Sequence, residues 1–232
     1  MLNLIKLEFK KTKLGWYYKG AVIANLCILG FLCLIGSEEK NLTQGQMAMA
    51  DAGSTLLLLG TFVRSVFIVF AGVLIAKLII GEYKNRTITV MFTYPVSRKK
   101  LIAAKLLLTG GLTFLTMIVS ELIVAVIFSQ LNDVYQFSPE KLTLQAIGNE
   151  IGSMLIYAAS STGLSFIPLY FGMRKQSVPA TIVTSCILIA LIGQQSPGFS
   201  IASIIYIPVS LAVIGIVIAF WSIRKIDRED VL

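Results

Sequence analysis

Apolar residues in this chain come in long unbroken runs, not at the alternating positions of a half-buried strand. Six such runs lie at about 17–36, 55–80, 101–128, 151–171, 178–193 and 201–223. Each meets or approaches the roughly 20 residues that a helix needs to cross a hydrocarbon core about 30 Å thick. Backbone polar groups find no water in lipid, so these runs are predicted as helices, not strands. The fifth run is short, and the sixth contains Pro208, whose missing N–H predicts a kink. The polar stretches between runs are brief and hold no repeat, low-complexity tract or separate extracellular domain, which predicts one membrane domain over residues 1–232. The first run follows a basic stretch, as a signal peptide's would. It is longer than a usual signal core and ends Leu34-Ile35-Gly36-Ser37-Glu38 without a small-residue cleavage site, so it reads as a retained helix.

Composition agrees. Hydrophobic residues make up 56% of the chain and charged residues 14%, where a soluble domain carries roughly a quarter charged. With a mean hydropathy of +0.83, a soluble globule and a disordered chain are both excluded. Histidine is absent, which removes His-dependent zinc sites, Ser-His and Cys-His nucleophile pairs and the usual proton shuttle. Cys27, Cys33 and Cys186 lie inside apolar runs, without metal-ligand or disulfide spacing, and read as small apolar side chains.

The net charge of +8 needs to be located before it is interpreted. Of the 20 basic residues, 17 fall on one side of the predicted spans: Lys6 to Lys19 before the first, Lys77 to Lys105 around the second loop, Arg174 and Lys175 in the fourth, and Arg224, Lys225 and Arg228 after the last. The opposite side holds Lys40 and Lys141, together with Glu38, Glu39, Asp51, Asp133, Glu140 and Glu150. Basic loops stay cytoplasmic, so both termini are predicted inside and the number of spans even. Topology thus accounts for the positive charge, and no nucleic acid is expected as a partner.

Two charges fall within spans. Arg64 and Glu121 stand on antiparallel neighbours at depths differing by roughly 5 Å. An isolated charge there is costly. This predicts an ion pair, either structural or lining a translocation path, the alternative being an Arg64 that reaches out to the interface. Gly148 and Gly152 form a G-x-x-x-G pattern ahead of Ala158, Ala159, Ser160, Ser161, Thr162 and Gly163, suited to helix packing within the subunit or between subunits. Pro168 is expected to bend the fourth span, and Pro179 suits the first turn of the fifth.

Two cytoplasmic segments look like more than connections. Near the amino terminus, Leu4, Leu7 and Lys11 recur near helical spacing with Ile5 and Phe9 beside them, and Lys6, Lys10 and Lys13 lie towards the other face, as in a short amphipathic helix on the membrane surface or a plain basic anchor. Residues 81–100 mix Ile88, Val90, Met91 and Phe92 with charges, break at Tyr94-Pro95 and resume at Ser97, a suitable helix cap. The expected order is helix, break, short interfacial helix, break, helix.

The residues Glu82, Arg86, Thr87, Pro95, Val96, Ser97 and Arg98, with Lys105 seven positions on, resemble the ABC-2 type permease family, the membrane subunits of mostly bacterial ATP-binding-cassette exporters. The resemblance spans essentially the whole chain. It implies an all-α integral membrane fold of six transmembrane helices with an amphipathic amino-terminal elbow helix, the ABC-2 (type V exporter-like) fold. It implies that residues 82–98 hold a coupling helix docking on a cytoplasmic ABC ATPase subunit, with Glu82, Arg86, Thr87, Pro95, Val96, Ser97 and Arg98 at that contact. It further implies two ATPases and a second permease chain, identical or related, in a bacterial cytoplasmic membrane. No G-x-x-x-x-G-K-[ST] occurs in this chain, so ATP and Mg are expected on the partner, with no cofactor here and no enzyme activity of its own. The implied cargo is a peptide or an amphipathic or hydrophobic molecule, as in antimicrobial-peptide immunity or cytolytic-peptide export. A re-entrant element at 199–207 is a further family expectation. The other readings are a non-transporting membrane partner or sensor, and a secondary carrier. Against the carrier stand the absence of an inverted repeat and a total of two mid-depth charges.

Overall fold

The computed structural model describes residues 6–9, 15–39, 49, 51–84, 98–135, 137, 142, 144–175, 177–192, 195–196, 199–200 and 206–225. Helix α1 spans Gly15–Glu39. Helix α2 spans Ala52–Ile75 and runs on through a π-helical turn, Ala76–Ile80, and a last turn, Gly81–Lys84. Helices α3 (Arg98–Tyr135), α4 (Leu144–Leu164), α5 (Ile167–Lys175), α6 (Val178–Ile192) and α7 (Tyr206–Lys225) follow. A minimal antiparallel ladder, β1 (Gln195–Ser196) and β2 (Phe199–Ser200), pairs Gln195 with Ser200 and Ser196 with Phe199. Among the described residues four helical stretches are long and apolar enough to cross a membrane: Gly15–Glu38, Ala52–Ile80, Lys100–Tyr135 and Gln145–Lys175. Two apolar helices, Val178–Ala190 and Val209–Ser222, are shorter. The chain is an all-α, multi-pass membrane protein.

Helix α2 is the most enclosed of the long helices, packed by α3, α4 and α6, while α7 lies on α4 and α5. Its buried Leu59, Val63, Phe67 and Ala71 recur every fourth residue, which aligns them on one helical face. Towards one end of the bundle Leu59, Val63 and Phe67 pack with Val124 and Phe128 of α3. Towards the other end, Leu74, Ile75 and Ile79 pack with Ile102, Leu106 and Leu169. The outer faces of α1, α3 and α7 carry exposed Val22, Leu26, Leu115, Val119, Val213 and Val217, which suits a surface bathed in hydrocarbon.

The first four spans overrun the apolar runs that predicted them. Helix α3 continues past residue 128 to Tyr135, and the fourth span begins at Leu144. Ser129, Asn132, Asp133 and Gln145 end a lipid-compatible run, yet each is tolerated in a helix whose end reaches water. Helix α2 runs past residue 80, because Gly81 keeps right-handed helical angles, φ −61° and ψ −38°, and the breaks and short helix expected within 81–100 fall on 85–97, outside the described residues. The fourth span does turn near Pro168, at Ser165–Phe166. There the Phe166 N–H donates to the Gly163 carbonyl at 3.2 Å, and that of Leu169 to Phe166 at 3.1 Å. Pro168 has no N–H to return to Leu164. Pro208 does not kink α7. It falls in the first turn, where its N–H would have had no partner within the helix. Of the re-entrant element expected at 199–207, Phe199 and Ser200 are strand-paired and 201–205 lie outside the described residues.

Candidate functional site

Residues 6–9 form one helical turn. Leu7 and Phe9 are exposed, and Glu8 is turned inward and buried. The rest of the expected amphipathic helix lies outside the described residues. Glu8 reaches Lys105 of α3, a lysine only 1% exposed. The Lys105 ammonium donates to Glu82 Oε2 at 2.8 Å, to Glu8 Oε2 at 3.2 Å and to the Leu78 carbonyl at 3.2 Å. An ammonium has three protons, and here it finds three acceptors, two on the end of α2 and one on the amino-terminal turn. One acceptor belongs to the π-widened turn of α2, a local geometry common at functional positions. A buried ammonium is tolerated only when paired and hydrogen-bonded, so the cluster ties the amino-terminal turn to the end of α2 and the start of α3.

Of the residues predicted for the loop contact, Glu82 is half-buried and paired with Lys105. Arg98 opens α3. Arg86, Thr87, Pro95, Val96 and Ser97 lie outside the described residues. Sequence reasoning missed Glu8 as a partner. The available signal was one acid among Lys6, Lys10, Lys11 and Lys13.

The second cluster sits deeper in the bundle. The structure brings Arg64 of α2 and Glu121 of α3 together, with Nη1 3.7 Å from Oε1. That is an ion pair too long for a hydrogen bond. Arg64 Nη2 donates to Thr61 Oγ1 at 3.2 Å, and the guanidinium lies over the Tyr157 ring of α4, 4.5 Å from its centre. Gly60 makes the approach possible, since a Cβ there would collide with Glu121 Oε1. Helix α1 joins from the side. Asn25 Nδ2 donates to Ser120 Oγ at 3.0 Å, and the Tyr17 hydroxyl shares a hydrogen bond of 2.8 Å with Thr116. Glu121 Oε2 and Asn25 Oδ1 are buried and have no hydrogen-bond partner among the described residues. No group of three Cys, Asp or Glu able to hold a metal occurs among the described residues. The chemistry available at these clusters is charge pairing and hydrogen bonding, suited to holding helices in register.

Residues 4–191, which include both clusters, match the family described as "ABC-2 family transporter protein". The chain is 48% identical over 229 residues, 99% of its own length and 100% of the relative's, to "Uncharacterized protein YcbO" of Bacillus subtilis (strain 168). No solved structure matches it.

Proposed function

This chain belongs to the ABC-2 family of transporter membrane proteins, and from that membership we propose that it is the permease subunit of an ATP-binding-cassette exporter. The observation that carries the reading is the family match across residues 4–191. Power comes from a separate ATPase, which binds ATP and Mg, because the chain has no phosphate-cradling motif. The long helices together with α6 and α7 make six crossings, with both termini in the cytoplasm, as the distribution of basic residues favours. Residues 82–98 form the docking element for the ATPase, with Glu82 at its base and Arg86, Thr87, Pro95, Val96, Ser97 and Arg98 along it. Two permease chains and two ATPases make the working unit. The cargo is a peptide or another amphipathic molecule, and the Arg64–Glu121 level lies beside its route. ATP acts by binding one state of the ATPase pair more tightly, since only differential affinity shifts a conformational equilibrium.

The test is purification of the tagged chain from its native membrane in mild detergent. A stoichiometric soluble subunit with Walker motifs is expected, lost on Arg86→Ala with Arg98→Ala while the chain still inserts. ATP-dependent flux of a labelled cationic amphipathic peptide in proteoliposomes then separates an exporter from a sensor. Purification of the chain without any ATPase overturns the reading.

A further inference from the structure

We infer that water binds inside the bundle where α1, α2 and α3 meet, donating its protons to Glu121 Oε2 and Asn25 Oδ1. The inference goes beyond the permease reading and does not depend on it. It gives the Arg64–Glu121 level a resident ligand.

Helix α3 carries a polar stripe towards this point. Lys105, Thr109 and Thr113 follow one another at intervals of four residues, as Thr116 and Ser120 do, which keeps each set on one helical face. Up to Thr116 the stripe satisfies itself. Thr109 and Thr113 donate to the carbonyls four residues back, at 2.8 and 2.6 Å, and Thr116 donates to that of Leu112 at 2.7 Å. The Tyr17 hydroxyl is then the donor in its bond with Thr116. One turn further on, acceptors outnumber donors. Ser120 Oγ takes an Asn25 amide proton at 3.0 Å. Asn25 Oδ1 and Glu121 Oε2 are buried and receive no proton among the described residues. Glu121 is only 2% exposed. Arg64, 3.7 Å from the other carboxylate oxygen, supplies charge and no hydrogen bond. A buried acceptor without a donor carries its full desolvation penalty.

The surroundings select the donor. A proton on Glu121 would remove the counter-charge of Arg64, a guanidinium that is itself buried. A metal cation would add a second positive charge beside that guanidinium, and no group of three Cys, Asp or Glu stands ready for it among the described residues. An anion brings no proton to give. Water is neutral, has two protons for the two acceptors, and accepts in turn from the Ser120 hydroxyl. Buried waters typically make about three such bonds to polar groups that would otherwise go unpaired.

The experiment uses the full chain in nanodiscs, exposed to brief X-ray pulses, with oxidised side chains identified by mass spectrometry. Hydroxyl radicals formed from bound water attack the nearest reactive side chain. Met117 stands one turn before Glu121 on the same face of α3, at a Cβ separation of roughly 5–6 Å. It is 0% exposed, which shields it from radicals formed in bulk water. Met117 is expected to be oxidised in proportion to dose. Asn25→Leu combined with Arg64→Leu and Glu121→Leu removes both acceptors without stranding a charge. In that variant Met117 oxidation is expected to fall several-fold, while the half-buried Met173 of α5 keeps its rate. Asn25→Leu alone keeps the ion pair and decides the matter should the triple variant not fold; it too is expected to lower Met117 oxidation. A Met117 that stays unmodified in the native chain, at doses that oxidise Met173, overturns the inference. Oxidation of Met117 at the native rate in the folded variants overturns it as well, since the radicals would then come from elsewhere.

Discussion

At residue scale, the two buried clusters solve one problem with different margins. Lys105 has an acceptor for each proton. Arg64 and Glu121 are matched in charge, yet Glu121 Oε2 has no hydrogen-bond partner among the described residues. Removing one member of a buried pair strands the other, typically at a cost of about 3–5 kcal/mol, whereas replacing both with apolar residues is often near neutral. Glu121→Leu alone is therefore expected to lower the thermal midpoint of the detergent-solubilised chain sharply, and Arg64→Leu with Glu121→Leu to recover most of the loss. Fluorescence-detected size-exclusion after heating reads both. Losses that simply add would mean that the two charges do not act as a pair. Gly60→Ala should also destabilise, because its methyl takes the space of the carboxylate. The same change on a Glu121→Ala background should cost little. Equal cost on both backgrounds would place the clash elsewhere.

At the scale of elements, close approach depends on particular glycines. Helices α4 and α7 meet where a Cβ on Gly215 would strike the Gly163 carbonyl, while one on Gly163 would lie 2.9 Å from the Ala212 Cβ. Backbone cannot yield as a flexible side chain does, so Gly215→Val is expected to separate α7 from α4 and reduce the folded yield several-fold. Gly111 is exposed with open space around it, and Gly111→Ala should leave the yield unchanged or slightly raised, as alanine favours helix. A tolerated Gly215→Val would remove this contact from the account of α7. The G-x-x-x-G pattern of Gly148 and Gly152 behaves differently. Both are exposed on α4, and a Cβ at either meets nothing within 4 Å among the described residues. The spacing was readable in the sequence, but its use within the subunit was not, since spacing specifies a face and not what packs on it.

At the scale of the whole molecule, the orientation proposed from the basic residues is open to direct test. In a variant without Cys27, Cys33 and Cys186, a cysteine replacing Lys40 or Lys141 is expected to react with a membrane-impermeant maleimide in intact cells. One replacing Lys100 or Lys175 should react only after permeabilisation. The reverse pattern would invert the topology and remove the 82–98 segment from the reach of a cytoplasmic ATPase. The orientation also implies that the Lys105 cluster lies towards the cytoplasm and the Arg64–Glu121 pair nearer mid-membrane, since Lys105 is near the start of α3 and Glu121 well along it.

The amino-acid sequence by itself determined the class of solvent, the helical character and the approximate place of each apolar helix. Those follow from hydrophobic runs and backbone hydrogen bonding, which are local properties summed along the chain. It also set the two intramembrane charges at similar depth, because a helix rises by a constant amount per residue. Only the tertiary structure decided where the helices end. Polar residues such as Asn132 stop a run of lipid-compatible side chains without stopping a helix. It alone decided which glycines carry contacts, and that Pro208 is an opening residue and not a kink. It alone joined Glu8 to Lys105, because pairing across 97 residues depends on how three segments converge, and one acid in a basic stretch carries no address for its partner.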